Sequence, residues 1–275
     1  MTYEAFWHSL TTIYPTGEAK AIAQMVMELR FGLTLSDLLC GKMDTLDEGE
    51  LLSIQRRLLT GEPAQYVIGM AEFGGRLYKV TPDVLIPRPE TYELCQWALE
   101  HQNAQRILDI CTGSGCIACT LATERPDAEV IAWYISEEAL SVAQENALIS
   151  HVNITLEKQD ALLLSTTFNH LSTNFNLIIS NPPYICEKES VKMERNVIDF
   201  EPHIALFVPD NDPLLFYRSI AIFALKALSS DGWLLFEINP IYADETKAML
   251  HTTGFKNVEI RQDQFGKERF IRACR

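Results

Sequence analysis

Phe175-Asn176-Leu177-Ile178-Ile179-Ser180-Asn181-Pro182-Pro183-Tyr184 is an apolar strand that stops in an amide, two prolines and an aromatic ring. Leu177, Ile178 and Ile179 have the continuous apolar character of a strand buried on both faces. Pro182 and Pro183 end it, because each lacks an N–H and fixes its own φ. The stop therefore falls at the carboxyl end of the strand, where open α/β sheets place their ligands. Two prolines also stiffen the loop, so the Asn181 amide and the Tyr184 ring are held in place. Such a loop suits a site that grips a planar nitrogen group. Asn-Pro is equally a common turn initiator, and the functional reading rests on a second motif.

That motif lies upstream, at Arg106-Ile107-Leu108-Asp109-Ile110-Cys111-Thr112-Gly113-Ser114-Gly115-Cys116-Ile117-Ala118. Another apolar strand runs into a glycine turn, and a helix follows with Ile117, Ala118 and Leu121 at helical spacing. Gly113 and Gly115 let the backbone approach a ligand and present N–H groups at a helix start. The full G-x-G-x-x-G of dinucleotide binders is not present, since position 118 is Ala. The order carries more weight than the motif. Strand, glycine turn, helix, a second strand at 130–133, a helix at 137–147, a third strand, and then Asn-Pro-Pro-Tyr after a fourth make a parallel α/β layout. Two ligand loops then share one edge of the sheet. Asp109, Gly113-Ser114-Gly115 and Asn181-Pro182-Pro183-Tyr184 together resemble S-adenosylmethionine-dependent amino-group methyltransferases.

Composition agrees. The 275 residues, 47% of them hydrophobic, are enough for a full α/β domain and a small second one. No apolar run approaches the roughly 18 residues of a membrane span, and no basic-then-apolar leader opens the chain. The seven scattered cysteines fit a reducing cytoplasm. Cys116 and Cys119 form a C-x-x-C, but without a second pair they read as packing, and no metal site is expected. The net charge of −14 argues against direct contact with nucleic acid and for a basic protein surface as partner.

Residues 1–62 show helical periodicity, with Ile22, Met25, Val26 and Leu29 on one stripe and Leu51, Ile54 and Leu58 on another. Residues 34–39 read as a short helix ended by Cys40-Gly41, and Asp44 or Thr45 as the cap of the next. Phe73-Gly74-Gly75 and the alternation through Val80 predict a hairpin.

The ordered set Pro63-Ala64-Gln65-Tyr66-Val67-Ile68-Gly69, Ile86-Pro87-Arg88-Pro89-Glu90-Thr91, the glycine turn, Asn181-Pro182-Pro183-Tyr184 and Glu201-Pro202 resembles one family more narrowly. It is similar to the protein-(glutamine-N5) methyltransferases that act on peptide chain release factors, the HemK/PrmC type. The similarity spans nearly the whole chain and is least specific in the helical N-terminal part. It implies an α/β fold: a Rossmann-like class I S-adenosylmethionine-dependent methyltransferase domain at 93–275, with a mostly parallel seven-stranded sheet. A helical substrate-docking bundle at 1–70 and a β-hairpin linker at 71–92 precede it. The implied substrate is the glutamine of the Gly-Gly-Gln loop in class 1 release factors. A cytoplasmic monomer that touches neither membrane nor nucleic acid is expected.

The resemblance also implies roles. Asp109 and the Gly113-Ser114-Gly115 turn face the methionine part of S-adenosylmethionine, and Cys111 and Thr112 are cofactor contacts of the same turn. Asp160 and Ala161 meet the adenine, and Arg88, Glu90 and Thr91 border the methionine end. Asn181 adjoins both cofactor and substrate. The Asn181 side-chain oxygen and the Pro182 carbonyl are suited to accept the two protons of a glutamine amide, while Pro183 and the Tyr184 ring bound the substrate. One departure stands out. The family places a ribose-binding aspartate at the end of the second strand, and here Tyr134 occupies that position. A phenol cannot accept two hydrogen bonds as a carboxylate does, and Glu137 or Glu138 are the nearby substitutes. A weakly active release-factor-binding relative therefore stays open, as does an amino methyltransferase acting on a ribosomal-protein glutamine or a nucleobase.

Overall fold

A computed structural model describes residues 1–164 and 174–275. The chain opens with helices α1 (Tyr3–Leu10), α2 (Thr16–Phe31), α3 (Leu35–Leu39), α4 (Glu48–Leu59) and α5 (Ala64–Ile68). Thr34 and Asp37 cap α3 reciprocally, which satisfies two donors at that end. A 3₁₀ turn at Lys42–Thr45 occupies the residues expected to cap α4. The cap therefore falls to Asp47, which accepts the Glu50 N–H at 2.7 Å. The apolar stripe of α2 is also rotated from the expected one. Ala19, Ala23, Val26 and Met27 are buried, whereas Ile22, Met25 and Leu29 are only partly so. Small alanines on the inner line let neighbouring helices come close, and the larger side chains fill the flanks.

Strands β1 (Met70–Phe73) and β2 (Arg76–Lys79) form an antiparallel hairpin. Gly74 and Gly75 turn it with φ of 59° and 77°, a two-residue turn that needs positive φ at both positions. A Cβ at Gly74 would lie 2.1 Å from the Tyr92 ring, so no larger residue fits. Helix α6 (Pro89–Leu99) begins at a proline, inside the stretch 71–92 read as linker, because proline suits the first helical position.

The sheet then assembles from β3 (Arg106–Ile110), β4 (Glu129–Tyr134), β5 (Thr155–Lys158), β6 (Phe175–Ser180), β9 (Leu228–Glu237), β10 (Lys256–Gln262) and β11 (Glu268–Cys274), in the order β10-β11-β9-β6-β3-β4-β5. The pairs β3–β4, β4–β5, β3–β6 and β6–β9 are parallel, and only β11 pairs antiparallel, with β9 and β10. Between them run α7 (Cys116–Glu124), α8 (Glu137–Ile149), the two-residue strands β7 (Ile185–Cys186) and β8 (Phe207–Val208), α9 (Arg195–Phe200), α10 (Leu215–Ala227) and α11 (Ala243–Thr253).

Alternate strand residues face opposite layers. Leu108, Ile110, Ile178, Leu234 and Phe236 pack with Tyr217, Ile220 and Phe223 of α10. Ile107, Leu177, Ile179 and Leu235 pack with Leu94 and Trp97 of α6 and Ile117 and Leu121 of α7. A smaller cluster ties the N-terminal helices to the sheet: Tyr66, Val80, Val84, Ile86, Tyr134, Ala139 and Val142. The Tyr66 hydroxyl donates to the Val84 carbonyl at 2.6 Å within it, and burying Val84 alone is worth about 1.5–3 kcal/mol.

All seven cysteines are free thiols. Cys116 and Cys119 lie on α7 with their thiols pushed up to about 12 by burial. Among the described residues no three His, Cys, Asp or Glu side chains gather where they could hold a metal ion. Among the described residues no helix is long and apolar enough to cross a membrane.

Candidate active site

β3 and β6 lie side by side at the centre of the sheet, with Ile110 opposite Ser180. From β3 the chain steps to β4 and β5 on one side, then returns through β6 on the other. The loops leaving β3 and β6 thus part over a topological switch point, the crevice where open α/β sheets bind ligands. The Ser180 hydroxyl donates to the Ile110 carbonyl at 2.5 Å and locks the two strand ends together.

After β3, Cys111, Gly113 and Gly115 have φ of 65°, 55° and 78°. The two glycines differ in purpose. A Cβ on Gly115 would sit 2.9 Å from the Ala143 Cβ, so this glycine lets α7 pack on α8; a Cβ on Gly113 would meet nothing within 4 Å. That open space is room for a ligand against backbone. Helix α7 starts at once from Gly115 without a side-chain cap, which leaves its positive dipole end at the turn.

Asp109 is fully buried below the turn. Its Oδ2 accepts the Thr112 hydroxyl at 2.6 Å, and its Oδ1 has no partner. Burial pushes this carboxyl up to about 7, with the Thr112 hydroxyl and the nearby Ala118 backbone N–H at the start of α7 pulling the other way. Ser114 is buried as well, and its carbonyl accepts Asn146 Nδ2 at 2.8 Å.

A cavity of about 160 Å³ opens beside this turn, lined among others by Cys111, Trp133, Tyr134, Asp160, Ala161 and Pro183. Five expected residues thus meet there: Cys111, Tyr134, Asp160 and Ala161, expected as cofactor contacts, and Pro183, expected to bound the substrate but lying on this side of its loop. Gln159, Ile204 and Phe216 join the lining from segments with no motif of their own. One Asp160 oxygen accepts the Leu162 N–H at 2.8 Å, which orients the carboxylate. Tyr134 is 6% exposed, and its hydroxyl has no hydrogen-bond partner. Glu137 and Glu138 are engaged elsewhere, Glu137 with Lys158 at 2.8 Å and Glu138 with the Ser136 hydroxyl at 2.7 Å. Neither lines the cavity.

Asn181 and Tyr184 face the other way, into a wider cavity of about 400 Å³ that Leu85, Arg88, Met193, Val197 and Glu237 also line. The Asn181–Tyr184 loop is therefore a partition, with Pro183 on one cavity and Asn181 on the other. Its side chains are held by residues far away in sequence. Asn181 Nδ2 donates to Thr91 Oγ1 at 3.2 Å, the Thr91 hydroxyl donates to Glu237 Oε2 at 2.6 Å, and the Tyr184 hydroxyl donates to Glu237 Oε1 at 3.0 Å. Asn239 Nδ2 adds a bond to the Tyr184 carbonyl at 3.2 Å. Glu237 is 2% exposed, and burial raises its pKa against the pull of Thr91, Tyr184 and Arg269. Burial and the nearby Glu237 charge likewise keep the Tyr184 phenol protonated.

The Arg88 and Glu201 of two separate motifs meet here as an ion pair at 2.5 Å, and Glu201 Oε2 also accepts the Ile86 N–H at 3.2 Å. This half-buried clamp fastens the segment before α6 to the segment after α9. Sequence reading missed Glu237, Thr91 as a support for Asn181, and the link between Arg88 and Glu201. A signal for Glu237 was present. Leu234-Leu235-Phe236-Glu237-Ile238-Asn239-Pro240 is a second apolar strand stopped by a polar residue and Asn-Pro.

Comparison with known proteins agrees with this arrangement. The family of the methyltransferase small domain matches residues 93–199. Among solved structures, the hMettl16 catalytic domain bound to hairpin 1 of the MAT2A 3′UTR superposes over 93% of this chain and 79% of its own. Its TM-score is 0.56, at 16% sequence identity. A methyltransferase from Pyrococcus furiosus covers 72% of this chain and 87% of its own, with TM-score 0.50 and 16% identity. These likenesses concern the fold alone. The sequence relatives are much nearer. The release factor glutamine methyltransferase of Bacteroides thetaiotaomicron is 43% identical over 97% of this chain and 96% of its own. That of Flavobacterium psychrophilum is 38% identical over 97% and 95%, and that of Lactococcus lactis 40% identical over 80% of each. With such identity over nearly its whole length, a seven-stranded sheet of this order and a partition loop at its switch point, the chain belongs to the release factor glutamine methyltransferase family.

Proposed function

We propose that the protein transfers a methyl group from S-adenosylmethionine to the side-chain amide nitrogen of the glutamine in the Gly-Gly-Gln loop of class 1 release factors. One observation carries this reading: Asn181 is tethered through its nitrogen, and its oxygen is left to the wider cavity. An acceptor fixed there suits a carboxamide. The glutamine nitrogen is a poor nucleophile, because its lone pair is delocalised into the carbonyl. Asn181 Oδ1 and the Pro182 carbonyl accept its two hydrogens, turn the nitrogen toward the partition and draw electron density onto it. Orientation of this kind, with reacting atoms about 3–3.5 Å apart, accounts for much of an enzyme's acceleration. Acceptors in a dry site also act more strongly than in water, and the Tyr184 ring closes the cavity beside them. The nitrogen exchanges one proton for the methyl group. No side chain is assigned as base, since that proton becomes acidic only as the C–N bond forms.

The smaller cavity and the glycine turn beside it together suit S-adenosylmethionine. The Asp109 carboxyl suits the ammonium of the methionine part, the open space at Gly113 admits its backbone-like atoms, and Asp160 and Ala161 suit the adenine. Tyr134 offers a single hydroxyl to the ribose at the position where the family resemblance implies an acid, and Cys111 and Thr112 complete the turn. Bound S-adenosylmethionine supplies an electrophilic methyl on sulfur and leaves as S-adenosylhomocysteine. We further assign residues 1–70 to docking the release factor, and infer a cytoplasmic monomer without direct contact to nucleic acid. The names of the full-length relatives favour a release factor over a ribosomal protein or nucleobase, and the net charge of −14 weighs against the nucleobase.

Asn181→Ala tests the reading. Methyl transfer to a release factor should fall at least about a hundredfold while cofactor binding is retained. Near-normal transfer by the variant would refute the role of Asn181.

A further inference from the structure

Thr91 has one hydroxyl proton, and two neighbours compete to decide where it points. Glu237 Oε2 lies 2.6 Å from Thr91 Oγ1, and Asn181 Nδ2 lies 3.2 Å away on the other side. The second Glu237 oxygen takes the Tyr184 hydroxyl at 3.0 Å. An ionised carboxylate accepts at both oxygens and donates at neither. A hydroxyl at each Glu237 oxygen is the arrangement an ionised carboxylate takes despite its burial, and in that form Thr91 gives its proton to Oε2 and only lone pairs remain for Asn181. An amide facing lone pairs turns its NH₂ to them and its oxygen away. Among the described residues nothing donates to Asn181 Oδ1, which leaves that atom to the 400 Å³ cavity.

We infer that Glu237, acting through Thr91, is a positioning residue that sets which end of the Asn181 amide faces the substrate. The inference deepens the proposed function and rests on it, since the direction matters only if Asn181 Oδ1 accepts a substrate hydrogen. The arrangement spans two strand ends and a helix start: Asn181 and Tyr184 in the loop after β6, Glu237 at the end of β9 and Thr91 in the first turn of α6. With glutamine at position 237, one end of the side chain becomes a donor. Thr91 can then accept from it and donate to Asn181, and the amide turns over. The site keeps its shape but presents NH₂ groups to a substrate that itself has NH₂.

The experiment measures kcat and KM for methyl transfer to a release factor, and cofactor affinity, for the intact protein and for Glu237→Gln, Thr91→Val and Thr91→Ser. Wild type should methylate the factor. Glu237→Gln and Thr91→Val should lose tenfold to a hundredfold in kcat, with cofactor affinity within about twofold of wild type. Thr91→Ser keeps the hydroxyl and should restore most of the rate. Glutamine and valine variants that bind cofactor and keep kcat within about twofold would overturn the inference while leaving the proposed function standing. Failure of wild type to methylate the factor, despite cofactor binding, would instead remove the proposed function and the inference with it.

Discussion

Replacing Tyr134 by phenylalanine separates two consequences of one buried hydroxyl. In the protein alone that hydroxyl is enclosed and has no partner. Leaving a polar group so costs about 1–3 kcal/mol. Tyr134→Phe removes the penalty, less the small void the oxygen leaves, for a net gain of about 1 kcal/mol. A change of that size shifts the melting temperature by about 2–4 °C in a domain of this size. With S-adenosylmethionine present the sign reverses. The hydroxyl then has the ribose as partner, and losing one neutral hydrogen bond costs about 0.5–1.5 kcal/mol, or roughly two- to tenfold in Kd. Calorimetric titration gives the affinity and a thermal melt without ligand gives the stability. A variant that melts higher alone and binds cofactor more weakly matches the assignment. A variant that melts lower with unchanged affinity would show that the hydroxyl serves the fold and not the ribose, and would refute the reasoning.

Tyr134→Asp restores an acid that can accept both ribose hydroxyls and should tighten cofactor binding about tenfold, measured by the same titration; weaker binding would place the ribose elsewhere. Asp109 predicts a pH dependence. Burial raises its carboxyl from 3.8 to about 7 in the folded chain, so between these values unfolding releases a proton, and its contribution to stability declines as pH rises to about 7 and is level above. Binding a cation favours the ionised form, so cofactor affinity should climb as pH approaches about 7 with a proton released on binding, and Asp109→Asn should abolish both effects. A chain lacking residues 1–62 keeps α5 and Tyr66 on the sheet. It should bind cofactor normally but lose release-factor affinity about tenfold, and unchanged affinity for the factor would remove the docking role.

The parts of the site that could be read from sequence are those whose cause is local. Pro182 and Pro183 end β6 whatever surrounds them, and Gly113 and Gly115 mark a turn with positive φ by themselves. Their order along the chain then places both loops at the switch point. The supports of Asn181 have no such signature. Thr91 and Glu237 are 146 residues apart and become partners only when α6 packs beside β9. Arg88 and Glu201 stand in two separate motifs, and neither motif names the other. The α2 stripe failed for a related reason: Ile22 and Met25 are the more hydrophobic residues, but packing against neighbouring helices selected Ala19 and Ala23 for the inside. Tyr134 could be identified as a departure from sequence, whereas its enclosure with Tyr66, Val84 and Ile86 required the fold.

The decisive experiment incubates the protein and S-adenosylmethionine with an unmodified class 1 release factor, then maps the factor by tandem mass spectrometry. A single added methyl is expected on the glutamine of the Gly-Gly-Gln loop, absent when Asn181→Ala is used. A factor left unmodified by protein that demonstrably binds S-adenosylmethionine, or a methyl placed on any other residue, would contradict the proposed function.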